Sequence, residues 1–223
     1  MNKKVIKMFL NLSVFGVLSG VILAGVFSVA DPIIKENKRK ELEAAIFKVL
    51  PEARDYTTLS RPFGGETVTV YVGYNAGEDI VGIAFKADGN GYSGNVGVMV
   101  GLDTDYLKLE GIEVLDQLET PGLGDRISEP AFKKQFKGVE VRPRVEYIKY
   151  VKPEKANQIQ AITGATISSR AVVTNINNAI ARVREVFPRA RVATDAKAAR
   201  AAARAATKGG DKKDEEPEER DGE

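Results

Sequence analysis

The 223-residue chain contains no cysteine and no histidine. Without cysteine there are no disulfides, thiolate nucleophiles, zinc-finger sites or iron–sulfur ligands, and without histidine there is no imidazole base and little basis for a transition-metal or haem site. Ser-His-Asp and Cys-His catalysis are thereby excluded. Excess charge of one sign is missing too: 33 Lys and Arg stand against 31 Asp and Glu, a net charge of +2. The two signs are interspersed, so the chain lacks the basic footprint of a nucleic-acid binder. Its lack of cysteine suits reducing and oxidising surroundings alike. What stays open is carboxylate chemistry, anion binding by backbone and hydroxyl groups, or chemistry carried by a bound organic cofactor.

What is present, first, is one long uncharged run. Residues 8–30, "MFLNLSVFGVLSGVILAGVFSVA", lie between Lys7 and Asp31 and as a helix at ~1.5 Å per residue would cover the ~30 Å hydrocarbon core of a bilayer. Lys3, Lys4 and Lys7 precede the run, which predicts a cytoplasmic N-terminus and an extracytoplasmic body. Lys35, Lys38, Arg39 and Lys40 beyond it weaken that bias. Ser28-Val29-Ala30 also resembles a signal-peptidase site, but a signal h-region is usually ~7–15 residues, so a retained single-pass anchor in the cell (inner) membrane is expected. The span carries no ionisable residue and offers no ion pathway by itself. Its small residues Gly16, Ser19, Gly20, Ala24 and Gly25 permit close approach of another helix.

Residues 33–50 predict a helix continuing from the anchor to Pro51. Beyond a loop, residues 66–74, 79–87, 96–103 and 109–117 predict an antiparallel sheet, and 145–151 a further strand. Residues 129–138 predict a short helix. Residues 168–187 predict the main one, with Val172, Val173, Ile176, Ala179, Ile180, Val183 and Phe187 on the face turned to the sheet. The fold class is α+β: a single N-terminal transmembrane helix, then an antiparallel-sheet domain packed with helices. After Asp195 an Ala/Arg-rich run whose composition allows a helix passes into a charged end with few apolar anchors to offset ordering entropy, which predicts a solvated, disordered tail.

The stretch "ITGATISSR" (162–170) enters the main helix. The first N–H groups of a helix lack intrahelical partners and, with the helix dipole, favour an anion such as phosphate. Gly164 and Ala165 would let a phosphate approach the backbone, and Thr163, Thr166, Ser168 and Ser169 supply hydroxyls. Alone, the stretch reads as a turn glycine followed by an N-cap, and a second feature is needed to make it an anion site.

Three stretches in order, "GNGYSGNVGVMVG" (89–101), "LETPGLGDRI" (118–127) and "ITGATISSRAVV" (162–173), behind one N-terminal span, resemble the membrane-anchored flavin subunits of two respiratory complexes. These are the G subunit of the Rnf ferredoxin:NAD oxidoreductase and the C subunit of the sodium-pumping NADH:quinone oxidoreductase. The resemblance implies FMN joined covalently, by a phosphoester, to the last threonine of the [Ser/Thr]-Gly-Ala-Thr motif, here Thr166. Thr163, Gly164, Ala165 and Ile167 would surround it. Glu119, Thr120, Gly122, Leu123 and Gly124 would form a loop beside the flavin ring, with Tyr92 a further cofactor contact. Two positions depart from the family pattern: Gln160 stands where an acidic residue is usual, and Gln117 where a histidine is common.

The chain thus divides into anchor (1–30), connecting helix and loop (31–65), the domain that the resemblance makes FMN-binding (66–190) and a tail (191–223) in which the resemblance has no part. The resemblance implies no catalytic residue and no metal site. The function so implied is an electron-relay subunit, not a complete enzyme, of an Rnf-type complex coupled to Na⁺ or H⁺ translocation. Its partners would be the other membrane and ferredoxin-type subunits and a flavin transferase. The alternatives are the C subunit of the quinone-reducing complex and an anchored FMN-binding sensor.

Overall fold

The computed structural model describes residues 3–210. Two compact units, Met1–Glu43 and Ala44–Glu223, divide within the first helix, a different division from the expected boundaries at residues 30 and 65.

Helix α1 runs over Lys3–Val49 and passes through Pro32. In the first unit its apolar side chains are exposed all round, Phe15 and Leu23 among them, as suits a helix surrounded by lipid. It is the one helix, among the described residues, long and apolar enough to cross a membrane. Past the apolar run its surface turns charged and is laced by Lys35–Asp31 and Arg39–Glu36 pairs. Pro51 ends it, because the residue before a proline is pushed out of helical conformation.

The second unit is built on a five-stranded antiparallel meander, β1 (Asp55–Phe63), β2 (Glu66–Tyr74), β3 (Ile80–Asn90), β4 (Asn95–Leu102) and β5 (Leu109–Gln117), in sequence order across the sheet. The last four match the strands expected from alternation. β1 was expected to be loop. It pairs with β2 through a two-residue Gly64-Gly65 turn, and its Pro62 is tolerable because β1 is an edge strand.

One face of the sheet presents Val70, Val72, Ile83, Phe85, Val98 and Val100 to a core shared with Val172, Ile176, Ala179, Ile180 and Val183. These last belong to α3 (Thr166–Val186), which begins two residues before its expected start. The other face receives the last turn of α1. A Cβ on Gly101 would collide with the Val49 carbonyl oxygen, and one on Gly73 would sit 2.9 Å from Leu50 Cδ1. The glycines are therefore a floor for the helix end.

Between β5 and α3 lie a 3₁₀ turn (Gly124–Ser128), the four-residue helix α2 (Pro130–Lys133) and a second 3₁₀ turn (Lys134–Phe136). The helix expected at 129–138 is thus broken into short pieces. The strand expected at 145–151 shrinks to β6 (Glu146–Ile148), which pairs in parallel with an unexpected β7 (Gln158–Gln160).

The largest difference concerns the expected tail. Arg189–Gly210 is a helix, α4, whose Val192 and Ala196 are buried. Asp195 pairs with Arg61 at 2.6 Å and Arg200 with Asp55 at 2.8 Å, while the Arg200 guanidinium lies 4.4 Å from the Tyr74 ring centroid. Small residues and arginine stems replace the large apolar anchors whose scarcity predicted a loose segment. The remainder of that expected tail, 211–223, lies outside the described residues.

Candidate functional site

The first turn of α3 meets two loops at one end of the sheet. The chain enters α3 through a turn in which the Ala165 N–H donates to the Ile162 carbonyl at 3.0 Å and Gly164 sits at φ +85°, a left-handed conformation that favours glycine. Ala165 then precedes the helix, and no side chain caps it.

Four hydroxyls crowd this entry, and their surroundings separate them. Ser169 is fully buried. Its Oγ accepts from the Ile162 N–H and donates to the Ala165 carbonyl, both at 3.0 Å. Ser168, also buried, donates to Glu119 Oε2 at 2.7 Å. Neither serine is open to modification. Among the described residues no hydrogen bond engages the hydroxyl of Thr163 or Thr166, and both remain at least partly exposed. Of the two, Thr166 is the first residue of α3, beside the free N–H groups where an added anion is stabilised by ~0.3–1 kcal/mol.

Glu119 is 6% exposed and joins all three motifs. One carboxylate oxygen takes the Ser168 hydroxyl; the other accepts the Tyr92 N–H at 2.6 Å and the Ser93 N–H at 3.3 Å. Gln117 Oε1 accepts from the Glu119 N–H at 2.7 Å, so this departure from the family pattern has a structural task. A Cβ on Gly124 would fall 2.5 Å from Glu119 Oε2 and 2.7 Å from Ser168 Oγ, and one on Gly91 would strike Glu119 Oε1. Both glycines are therefore dictated by the buried carboxylate. Glu119, expected in the loop beside a flavin ring, is the bolt that holds the loops together.

The remaining loop residues lie outward. Thr120 is exposed, its carbonyl accepting from the Leu123 and Gly124 N–H groups at 3.1 and 3.0 Å, and its hydroxyl lies 3.2 Å from Ser93 Oγ. Gly122 is exposed at φ +76°. Leu123 Cδ2 would be 3.8 Å from a Cβ on Gly164, so the loop lies against the threonine stretch. Tyr92, Leu123 and Ile167 are all exposed. Asp125 Oδ1 is buried with no partner, a feature nothing in the sequence singled out. The backbone of Gln160 is held by the Gln135 side chain, which bonds both its N–H and its carbonyl. Clefts of about 490 and 590 Å³ are lined, the one by β2, β3 and α3 residues and the other by α4 against the β2–β3 turn.

The family model for the FMN-binding domain matches residues 91–181, which takes in the whole of this corner. Over 170 residues the chain is 33% identical to the G subunit of the Na⁺-translocating ferredoxin:NAD⁺ oxidoreductase complex of Acetobacterium woodii, covering 73% of this chain and 80% of that one. The chain belongs to the G-subunit family of Rnf-type ion-translocating oxidoreductases. It is also 26% identical over 183 residues to the G subunit of the ion-translocating oxidoreductase complex of Methanosarcina acetivorans, covering 80% of this chain and 94% of that one. The crystal structure of the C subunit of the Na⁺-translocating NADH-quinone reductase from Parabacteroides distasonis shares the fold, with a TM-score of 0.54 at 17% identity over 69% of this chain and 95% of that one. The G-subunit family is thus the first of the two that the three motifs resembled.

Proposed function

We propose that this chain is a membrane-anchored flavoprotein subunit that relays electrons in an Rnf-type ferredoxin:NAD oxidoreductase complex, with FMN esterified to Thr166. The observation that carries this reading is the sorting of the hydroxyls: two of the four are locked in buried hydrogen bonds, and Thr166 opens an uncapped helix.

The residues present fit FMN. The α3 N–H groups and Thr166 suit its phosphate, exposed Leu123 and Ile167 suit an apolar ring, and Asp125 Oδ1, buried without a partner, suits a hydroxyl or N–H donor. When bound, FMN supplies the electron-carrying chemistry that a chain without cysteine or histidine lacks. The chain's own part is to hold and orient it. Glu119 fixes the loops, and Gly164 lets the backbone turn beneath the attachment point. Attachment calls for a modifying flavin transferase as a maturation partner, and the other subunits of the complex supply the source and sink of electrons. In this reading the N-terminus is cytoplasmic and the FMN domain extracytoplasmic.

The test is Thr166→Val, expressed in a host that supplies the transferase. Wild type keeps flavin fluorescence through denaturing electrophoresis and gains the mass of an FMN adduct; Thr166→Val does neither, and Thr163→Val still carries flavin. Covalent FMN on Thr166→Val, or an adduct mapped to Thr163, refutes the assignment.

A further inference from the structure

Apart from Leu107, the exposed large apolar side chains beyond α1, among the described residues, are Tyr92, Leu118, Leu123, Tyr150, Val151 and Ile167. Four of the six belong to the corner just described. Leu123 reaches Gly164, Ile167 follows Thr166, the Tyr92 N–H is bonded to Glu119, and Leu118 Cβ would lie 2.7 Å from a Cβ on Gly94.

Tyr150 and Val151 come from a separate connection that none of the three motifs includes. β6 and β7 run parallel, with Ile148 opposite Gln160, and the Ala161 N–H still donates to the Ile148 carbonyl at 2.9 Å. A parallel ladder sends both chains out of the same end. Residues 149–151 therefore emerge alongside 161–163, the approach to Thr166. Tyr150 does so at φ +62°, unusual for a side chain of its size, and with 76% of its surface exposed.

The flavin reading uses Tyr92, Leu123 and Ile167 but not Leu118, Tyr150 or Val151, and soluble surfaces rarely gather so many apolar residues at one corner. The rim of this corner is basic. Lys149 and Lys152 on the same connection and Arg170 on the first turns of α3 are exposed and, among the described residues, in no ion pair.

We propose that this corner is the face by which the chain docks on another protein subunit of its complex, one that presents an apolar centre bordered by carboxylates. An apolar centre with a charged rim is the usual anatomy of a specific interface, and the uncompensated cations select a partner of opposite sign. The assignment rests on the reading of the chain as a subunit of a flavoprotein complex and adds to it the surface through which the subunit is held.

Because the chain has no cysteine, a single introduced thiol reports its own burial. Tyr150→Cys, Leu118→Cys and, as control, Leu107→Cys are labelled with a maleimide in the intact solubilised complex and in the chain expressed without its partners; label and flavin fluorescence are read on this chain's band. Labelling at 150 and 118 slows by about tenfold or more in the complex, as expected at a desolvated interface centre, while the control reacts alike in both. Equal rates at 150 overturn the proposal. Adding Lys149→Glu and Lys152→Glu to Tyr150→Cys restores labelling in the complex; protection that survives this reversal overturns the acidic partner. Flavin fluorescence of Tyr150→Cys stays at the wild-type level, with or without the lysine reversals. If Tyr150→Cys loses its flavin, the face serves the modifying enzyme and the docking proposal falls. If wild type carries no flavin yet Tyr150→Cys is protected, the reading of Thr166 fails and the docking face stands.

Discussion

Glu119 gathers three hydrogen bonds on one buried carboxylate, two from the β3–β4 turn and one from α3. Removing it strands Ser168 inside the protein, where an unsatisfied hydroxyl costs more than the lost bond is worth. Glu119→Ala should therefore destabilise the domain by about 2–3 kcal/mol, lowering Tm by roughly 5–10 °C for a chain of this size. Glu119→Gln keeps the shape and one acceptor and should cost about 1 kcal/mol. Thermal unfolding of the solubilised chain distinguishes them; equal effects would show that the side chain merely fills space. Thr166 has no such structural partner, which is why its replacement should remove flavin with little loss of fold.

At the scale of elements, one carboxylate ties the end of α1 to the sheet and to α2. Glu113 on β5 pairs with Lys48 at 3.0 Å and Lys133 at 2.7 Å. Burial pushes its carboxyl up, but the hydrogen bonds and charges of Lys133 and Lys48 outweigh burial and hold it below its ordinary 4.5. A carboxylate held below its unfolded value contributes stability that is present above about pH 4.5 and lost as pH falls through the folded value. Glu113→Gln should thus be less stable than wild type at pH 7, and the gap should close on acidification toward pH ~3. A gap that is constant with pH in denaturant titrations would exclude the ion pairs as its source.

Helix α4 gives a second test at this scale. Ending the chain after Ala193 removes the Asp195 and Arg200 pairs and the buried Ala196. Partly exposed pairs of this kind are each worth ~0–1 kcal/mol, so Tm should fall by a few degrees while flavin attachment persists. Loss of attachment would mean that α4 shapes the threonine corner.

For the whole molecule, the uncharged span and its basic flank predict that the second unit lies outside the cytoplasm. The β2–β3 turn can report this. Asn75 Oδ1 holds the turn through the Gly77 and Asp79 N–H groups, so the thiol belongs at the neighbouring exposed Ala76. Ala76→Cys should react with a membrane-impermeant maleimide in intact cells or right-side-out vesicles. Reaction only after the membrane is opened would reverse the orientation.

The anchor, four strands of the sheet, the long helix α3 and the three motifs were legible in the sequence because each is a local pattern: an uncharged run, an alternation, a helical repeat, a spacing of glycines and threonines. β1 was not, since an edge strand with Pro62 and a half-exposed face shows little alternation, and of α4 the helical composition was legible but not its packing, since its anchors are alanines and arginines that acquire value only against β1 and Tyr74. The choice among four hydroxyls was likewise undetermined along the chain, beyond what the resemblance implied. Ser168 is withdrawn by a carboxylate 49 residues away, and the surroundings of Tyr150 depend on a parallel ladder closed by β7, which follows only after the connection has turned back. Local sequence fixes which conformations are cheap; burial and hydrogen-bond pairing depend on which distant residues arrive, and only the folded chain brings them together.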